Sequence, residues 1–86
     1  MLPRRLILYT RPGCCLCDTA KFLLQRVLRS QEGLAARVKF QVLDISKDPG
    51  LEEKFADVLP VVQVDDRIVS ELKINTARIR EALLEV

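Results

Sequence analysis

Residues 4–18 read RRLILYTRPGCCLCD, an apolar run followed by a break and three cysteines within four positions. The apolar run predicts a short buried strand, with a helix as the alternative at this length. Pro12 and Gly13 interrupt it. Helical spacing begins at about Cys15. This stretch therefore predicts a strand, a turn and a helix, with the cysteines at the start of the helix.

The helical pattern continues to about Gln31, and Gly33 is the predicted C-cap. Apolar side chains recur every three or four positions, which indicates that one face of this helix is buried. We expect that face to comprise Leu16, Ala20, Leu23, Leu24, Val27 and Leu28.

Three further strands and two helices are predicted downstream. The strands are residues 37–45, 59–64 and 67–70, with a turn at Asp65-Asp66 between the last two. A short helix spans 51–57, and a last helix is capped by Asn75 or Thr76 and turns Ile79, Ala82 and Leu83 inward. The order β-α-β-α-β-β-α predicts an α/β fold, a single domain over residues 1–86 with a mixed four-stranded sheet covered by helices.

The charge of the chain is uneven. Residues 1–31 hold six arginines and lysines and one aspartate, although the whole chain of 86 residues carries only +2. A basic surface around the cysteines favours thiolates and attracts anionic partners, and a solvated helix face is the alternative explanation. The few aromatic residues do not interleave with the basic ones, so we expect no nucleic-acid partner.

No apolar run approaches the ~20 residues of a membrane-spanning helix, so we expect no membrane association. The first ten residues lack the pattern of a secretory signal. We expect a cytoplasmic monomer, with a targeting segment outside this sequence as the alternative. Thiols stay reduced in the cytoplasm, which favours reactive or metal-binding cysteines over structural ones.

Cys14 and Cys17 form a C-x-x-C pair at the helix start. Residues three apart there lie on adjacent turns, close enough for a disulfide. Backbone N–H groups at a helix N-terminus stabilise a thiolate at Cys14, and Arg11 adds positive charge. The pattern predicts a redox-active dithiol.

Two other classes of function share this motif. C-x-x-C also occurs in metal sites, but the chain has three thiols and no histidine, too few ligands for a closed zinc site. We therefore predict no metal site. The alternative is a soft metal or an iron–sulfur cluster that the cysteines of two chains hold together. A non-catalytic adaptor that keeps the fold is the third class.

Residues 5–18, together with Leu59-Pro60-Val61-Val62, resemble the glutaredoxin-like proteins of the C-x-L-C group in the thioredoxin superfamily. The resemblance covers essentially the whole chain and implies a thioredoxin-like fold. It also implies that Cys14 is the attacking cysteine and that Cys17 is the resolving and more buried one.

The same resemblance assigns a substrate-binding role to three residues. It implies that Pro60 is a cis-proline, whereas spacing alone leaves a trans proline open. Leu59 would offer backbone groups to an extended substrate, and Arg11 stands where glutaredoxins often keep a basic residue that touches glutathione. The implied partners are a disulfide-containing protein as substrate and glutathione or a thioredoxin-type protein as reductant, with no resident cofactor.

Three features depart from the glutaredoxin pattern. Val58-Leu59-Pro60 stands where glutaredoxins usually have Thr-Val-Pro. Residues 70–75 read SELKIN and lack the Gly-Gly pair that lets a peptide backbone approach closely. This departure leaves efficient use of glutathione open. Cys15 is an additional thiol, which we interpret as an exposed bystander, with a competing redox partner or a metal ligand as alternatives.

Overall fold

The computed structural model describes residues 4–31 and 33–84. Four strands form its mixed sheet: β1 (Arg4–Thr10), β2 (Val38–Asp44), β3 (Val61–Val64) and β4 (Arg67–Glu71). They lie in the order β2-β1-β3-β4. β1 runs parallel to β2 and antiparallel to β3, and β3 pairs with β4 as an antiparallel hairpin.

Four α-helices accompany the sheet: α1 (Cys15–Arg29), α2 (Leu34–Arg37), α3 (Pro49–Phe55) and α4 (Thr76–Leu84). A 3₁₀ turn at Ile45–Lys47 leads into α3. The predicted order of strands and longer helices is confirmed, and so is the four-stranded mixed sheet. The short α2 is an addition that the sequence pattern did not indicate.

Side chains of β1 alternate between two separate apolar clusters, because successive residues of a strand point to opposite faces. Leu6 and Leu8 pack with α1 and α4, and Ile7 and Tyr9 pack with the side of the sheet that carries α3. The second cluster is the smaller one and contains Cys17. The cysteine pair therefore lies where the end of β1 meets the start of α1. The fully buried part of the larger cluster comprises Leu6, Leu8, Ala20, Leu24, Val62 and Ile79.

The predicted C-cap of α1 is wrong. The helix ends at Arg29, and Ser30 donates its backbone N–H and its hydroxyl to the Val27 carbonyl at 3.2 and 2.6 Å. That carbonyl is satisfied before the chain reaches Gly33. Gly33, at φ 82°, is instead the N-cap residue of α2.

The predicted buried position of Leu16 is also wrong, because this side chain is 61% exposed. Successive residues of an α-helix are rotated by about 100°. In the first turn of α1 it is Cys17 that points inward, so Leu16 faces solvent. Leu23 is half-buried, whereas the other four predicted positions are buried.

The turn between β3 and β4 lies at Asp65-Asp66, as predicted. Asp65 has φ 53°, and its carboxylate accepts a hydrogen bond from the backbone of Arg5 at 3.0 Å and from the Arg4 guanidinium at 2.9 Å. These contacts fasten the hairpin to the start of the central strand β1. None of the helices described is long and apolar enough to cross a membrane.

Candidate functional site

A tight turn connects β1 to α1 and places the cysteines. The N–H of Cys14 donates to the Arg11 carbonyl at 3.3 Å, and Gly13 has φ 80°. Proline at the second position and a positive φ at the third are typical of a type II turn, in which glycine is favoured at the third. The geometry of this turn therefore explains why Pro12 and Gly13 precede the cysteines.

Cys14 is the N-cap residue of α1. Its backbone is extended (φ −89°, ψ 103°), and its sulfur accepts a hydrogen bond from the N–H of Cys17 at 3.2 Å. The first N–H groups of a helix lack partners within the helix and carry partial positive charge. The N–H of Cys17 is therefore a hydrogen-bond donor in the position that stabilises a thiolate at the N-cap.

Cys17 occupies a different environment from Cys14. Its side chain is 3% exposed, while Cys14 is half-buried. Burial, together with a hydrogen bond to Cys14, raises the pKa of the Cys17 thiol from 9.0 to about 12, although a backbone hydrogen bond from Arg11 acts in the opposite direction. The two thiols are three residues apart, and the structure contains them in the free form.

Cys15, the first residue of α1, is exposed and also a free thiol. Its neighbour Leu16 is exposed as well. The structure thus has one half-buried, one exposed and one buried thiol within four residues. Among residues 4–31 and 33–84, no group of three or more histidine, cysteine, aspartate or glutamate side chains is arranged to hold a metal ion.

The segment before β3 lies in the same cluster as Cys17. Leu59 is buried in that cluster, and Val58 and Cys14 pack against it. The Leu59–Pro60 peptide bond is cis, as the resemblance implies. The N–H of Leu72, after β4, donates to the carbonyls of Val58 and Pro60 at 3.0 and 3.1 Å.

An aromatic pair supports the buried side of the site. The rings of Tyr9 and Phe55 lie 4.6 Å apart at 31° within the cluster that contains Cys17. The Tyr9 hydroxyl donates to Gln63 Oε1 at 2.9 Å, and Gln63 Nε2 donates to the Asp65 carbonyl at 2.7 Å. This chain of contacts links the site to the β3–β4 turn.

Arg11 contacts both cysteines of the pair through its backbone, and its side chain is exposed. Asp44, which ends β2, caps the following 3₁₀ turn by accepting from the N–H and hydroxyl of Ser46 at 2.9 and 2.7 Å. These hydrogen bonds lower the pKa of Asp44. Asp44 therefore has a capping role in the loop after β2.

The sequence predicts no role for Leu72 or Phe55. Phe55 lies in the cluster that contains Cys17, and Leu72 is hydrogen-bonded to the segment that packs against that cluster. Leu72 lies in the stretch 70–75, which lacks the Gly-Gly pair of the glutaredoxin pattern, and this departure was the available signal. Phe55 is the last residue of a short amphipathic helix, and no local signal indicates that its ring lies on Tyr9.

The chain is similar in sequence to a known protein family and to a named relative. Residues 5–84 match the family described as Glutaredoxin-like domain (DUF836). This chain belongs to the glutaredoxin-like family. It is also 29% identical over 69 residues to the Glutaredoxin-like protein YDR286C homolog of Dictyostelium discoideum. That alignment covers 78% of this chain and 63% of the relative, so the chain spans less than two thirds of the relative's length.

Solved structures show the same architecture. The protein XcR50 from X. campestris has 28% identity and a TM-score of 0.70, with 91% of this chain and 93% of that one covered. Protein Ne2328 from Nitrosomonas europaea has 22% identity and a TM-score of 0.74 over 92% and 89%. Mitochondrial thioredoxin 3 from Saccharomyces cerevisiae has 12% identity and a TM-score of 0.67 over 100% and 81%.

These matches establish the fold of this glutaredoxin-like chain as thioredoxin-like, as predicted. A glutaredoxin-like domain with adjacent cysteines supports a role of the redox type.

Proposed function

We propose that the chain is a thiol–disulfide oxidoreductase that reduces protein disulfides, or mixed disulfides of proteins with glutathione, through Cys14 and Cys17. One observation carries this proposal: the two thiols of the pair are unequal. The Cys14 sulfur is partly accessible and accepts a helix N-terminal N–H, whereas Cys17 is buried with a pKa raised to about 12.

The proposed reaction has two steps. The Cys14 thiolate attacks one sulfur of the substrate disulfide, a new S–S bond joins Cys14 to the substrate, and the other substrate sulfur leaves as a thiolate that takes a proton from water. Cys17 then loses its proton and attacks the Cys14 sulfur. The Cys14–Cys17 disulfide forms, the second substrate thiol is released, and two electrons have passed to the substrate.

The environment of Cys17 supports this order of steps. With a pKa of about 12, about one Cys17 in 10⁵ is a thiolate at pH 7, so this residue does not start the reaction. Part of the rise in its pKa comes from the hydrogen bond to Cys14 and from the charge of Cys14. Both are removed when Cys14 enters the mixed disulfide. The pKa of Cys17 then falls, which promotes the second step.

The oxidised pair must be reduced again, by two molecules of glutathione or by a thioredoxin-type dithiol. The proposal includes Arg11, Leu59 and Pro60 as the residues that bind the substrate, a monomeric state and a cytoplasmic location. It includes no resident cofactor and gives no step to Cys15.

Single-cysteine variants test the proposal with insulin and with a glutathione mixed disulfide as substrates. We expect Cys14→Ser to abolish reduction of both substrates. Cys17→Ser should accumulate a mixed disulfide between Cys14 and the protein substrate, which intact-mass spectrometry detects.

Cys15→Ser is the matched control, because it removes the adjacent exposed thiol. It should retain activity. Full activity in Cys14→Ser, or equal loss in all three variants, would contradict the proposed roles. An inactive wild-type protein that is folded and reduced would favour a non-catalytic adaptor.

A further inference from the structure

Leu72 has an unusual backbone for its residue type. Its φ is 64°, in the left-handed region, where side chains other than glycine, asparagine and aspartate are uncommon. Such positions persist only where the surrounding structure determines them, and they concentrate at sites of ligand binding and catalysis. The backbone geometry alone would be served better by glycine, so the leucine side chain requires a separate explanation.

The surrounding hydrogen bonds hold this residue in place. The N–H of Leu72 donates to the carbonyls of Val58 and Pro60. On the other side, the hydroxyl of the buried Ser70 donates to the Lys73 carbonyl and accepts from the N–H of Asn75. Hydrogen bonds before and after Leu72 therefore hold its loop in a fixed conformation.

Core packing does not explain the leucine either, because its side chain is 52% exposed. One exposed leucine is ordinary on a protein surface. An exposed leucine that also occupies a positive φ combines two unfavourable features without a compensating core contact. A bound molecule that contacts the Leu72 side chain would explain why a leucine is kept at this exposed position with a positive φ.

Hydrogen bonds join Leu72 to the Val58–Pro60 segment, and Leu59 of that segment lies in the cluster that contains Cys17. Val58, one of the two acceptors of Leu72, packs against the cluster that holds Cys17 and Leu59, and Cys14 packs against the same cluster. On the cysteine side, Leu16 between Cys15 and Cys17 is exposed too. An exposed leucine thus accompanies each part of the site: Leu16 lies within the cysteine motif, and Leu72 is hydrogen-bonded to the segment that contains Pro60.

Charge next to Leu72 does not select a ligand, since Glu71 and Lys73 flank it with opposite signs and both are exposed. The apolar side chain is the distinguishing feature. A protein segment with an apolar residue beside its disulfide cysteine would cover this side chain and remove apolar surface from water. Glutathione, a charged tripeptide without an apolar side chain, offers no such contact.

We propose that Leu72 is a specificity-determining residue that selects protein disulfides with an apolar residue next to the cysteine over glutathione disulfide. This inference rests on the proposed oxidoreductase function. The chemical steps are those given above, with the substrate disulfide reduced and the Cys14–Cys17 pair oxidised. Leu72 takes part in none of them and acts on binding alone.

The test compares kcat/KM for three substrates: glutathione disulfide and two otherwise identical peptide disulfides with leucine or serine beside the cysteine. We expect the wild-type protein to prefer the leucine peptide over the serine peptide by about tenfold, the scale of one partly buried apolar side chain. Leu72→Gly and Leu72→Asn should reduce this ratio to about two or less, on the same scale.

The two variants separate the side chain from the backbone. Both residues tolerate a positive φ, and both lack an apolar side chain. Phe22→Gln is the matched control, because Phe22 is 60% exposed and lies about one and a half turns along α1 after Cys17. It should leave the ratio unchanged.

The outcomes distinguish this inference from the function it rests on. If the wild-type protein reduces none of the substrates, the oxidoreductase proposal fails and this inference fails with it. If it reduces all three through Cys14 but Leu72→Asn leaves their ratios unchanged, only the specificity inference is overturned. The same holds if Phe22→Gln lowers the ratio as much as Leu72→Gly does.

Discussion

The backbone N–H of Cys17 lies 3.2 Å from the Sγ atom of Cys14 and donates a hydrogen bond to it. This is the contact that a serine or aspartate makes when it caps a helix, from the side chain of the N-cap to the third residue of the first turn. One sulfur atom therefore serves the proposed chemistry and also begins α1.

The capping role predicts that two substitutions of Cys14 differ in stability. Cys14→Ser keeps a hydrogen-bond acceptor at the N-cap, and Cys14→Ala removes it. We expect Cys14→Ala to be less stable than Cys14→Ser by about 1 kcal/mol. Urea unfolding of the two reduced proteins measures the difference. Equal stability would show that the contact between Cys14 and Cys17 does not stabilise the helix.

The unequal burial of the thiols predicts their alkylation pattern. Native reduced protein treated with iodoacetamide at pH 8 should gain two groups, at Cys14 and Cys15, because Cys17 is buried and has a pKa of about 12. Protein unfolded in guanidinium should gain three. Peptide mass spectrometry assigns the sites, and the Cys17→Ser variant should gain two groups in both conditions. Rapid labelling of Cys17 in the native protein would contradict its burial.

The raised pKa of Cys17 predicts loss of stability at alkaline pH. In the unfolded chain this thiol ionises near pH 9, and in the folded chain it keeps its proton up to about pH 12. The folded state binds more protons in this window, so the free energy of unfolding falls as pH rises. We expect a decline of about 1 kcal/mol for each pH unit between 9 and 12, the slope of one such group.

Denaturant unfolding of the reduced protein at several pH values measures this decline. Cys17→Ala should lose the contribution, and Cys15→Ala should retain it, because Cys15 is exposed. A slope in Cys17→Ala that equals the wild-type slope would rule out Cys17 as its source.

The contacts of Asp65 predict a dependence at acid pH. Hydrogen bonds from the Arg5 backbone and the Arg4 side chain lower the pKa of this carboxyl below its ordinary 3.8. The stabilisation is therefore present above pH 4 and is lost as pH falls through the lowered folded-state pKa. Asp65→Asn keeps a residue that tolerates φ 53° but removes the charge.

We expect Asp65→Asn to lose less than about 1 kcal/mol at pH 7, because the ion pair with Arg4 is partly exposed. The difference from the wild-type protein should shrink as the pH falls below 4. Asp66→Asn is the control: this carboxylate is 96% exposed, and its pair with Arg5 is long at 3.9 Å. An equal effect of both substitutions would indicate a general effect of charge.

Local signals predicted most of the elements but not all of their ends. Asn75 accepts the N–H of Arg78 at 3.0 Å and caps α4, as one of the two predicted caps. Pro49 opens α3, two residues before the predicted start. The end of α1 was predicted too late, because Ser30 satisfies the Val27 carbonyl through its hydroxyl and backbone, and composition alone favoured the glycine.

Helical periodicity also overestimated the buried face of α1 at its first turn. Leu16 continues the spacing of Ala20 and Leu24, and yet it is exposed. The pattern reports which side chains share a face of the helix. It contains no information on where along the helix the sheet and the smaller cluster begin, and here Cys17 takes the inward position.

Local sequence is enough to specify the strand, the Pro-Gly turn and the helix that places Cys14 at its N-cap, because each depends on residues within a few positions of one another. The different environments of Cys14 and Cys17 arise from the tertiary fold. Cys17 is buried, and its pKa is raised, by a cluster assembled from β1, α3 and the segment before β3. The contact of Leu72 with the Val58 and Pro60 carbonyls likewise depends on the antiparallel pairing of β3 and β4. Packing between segments distant in sequence sets these features, and no local pattern encodes them.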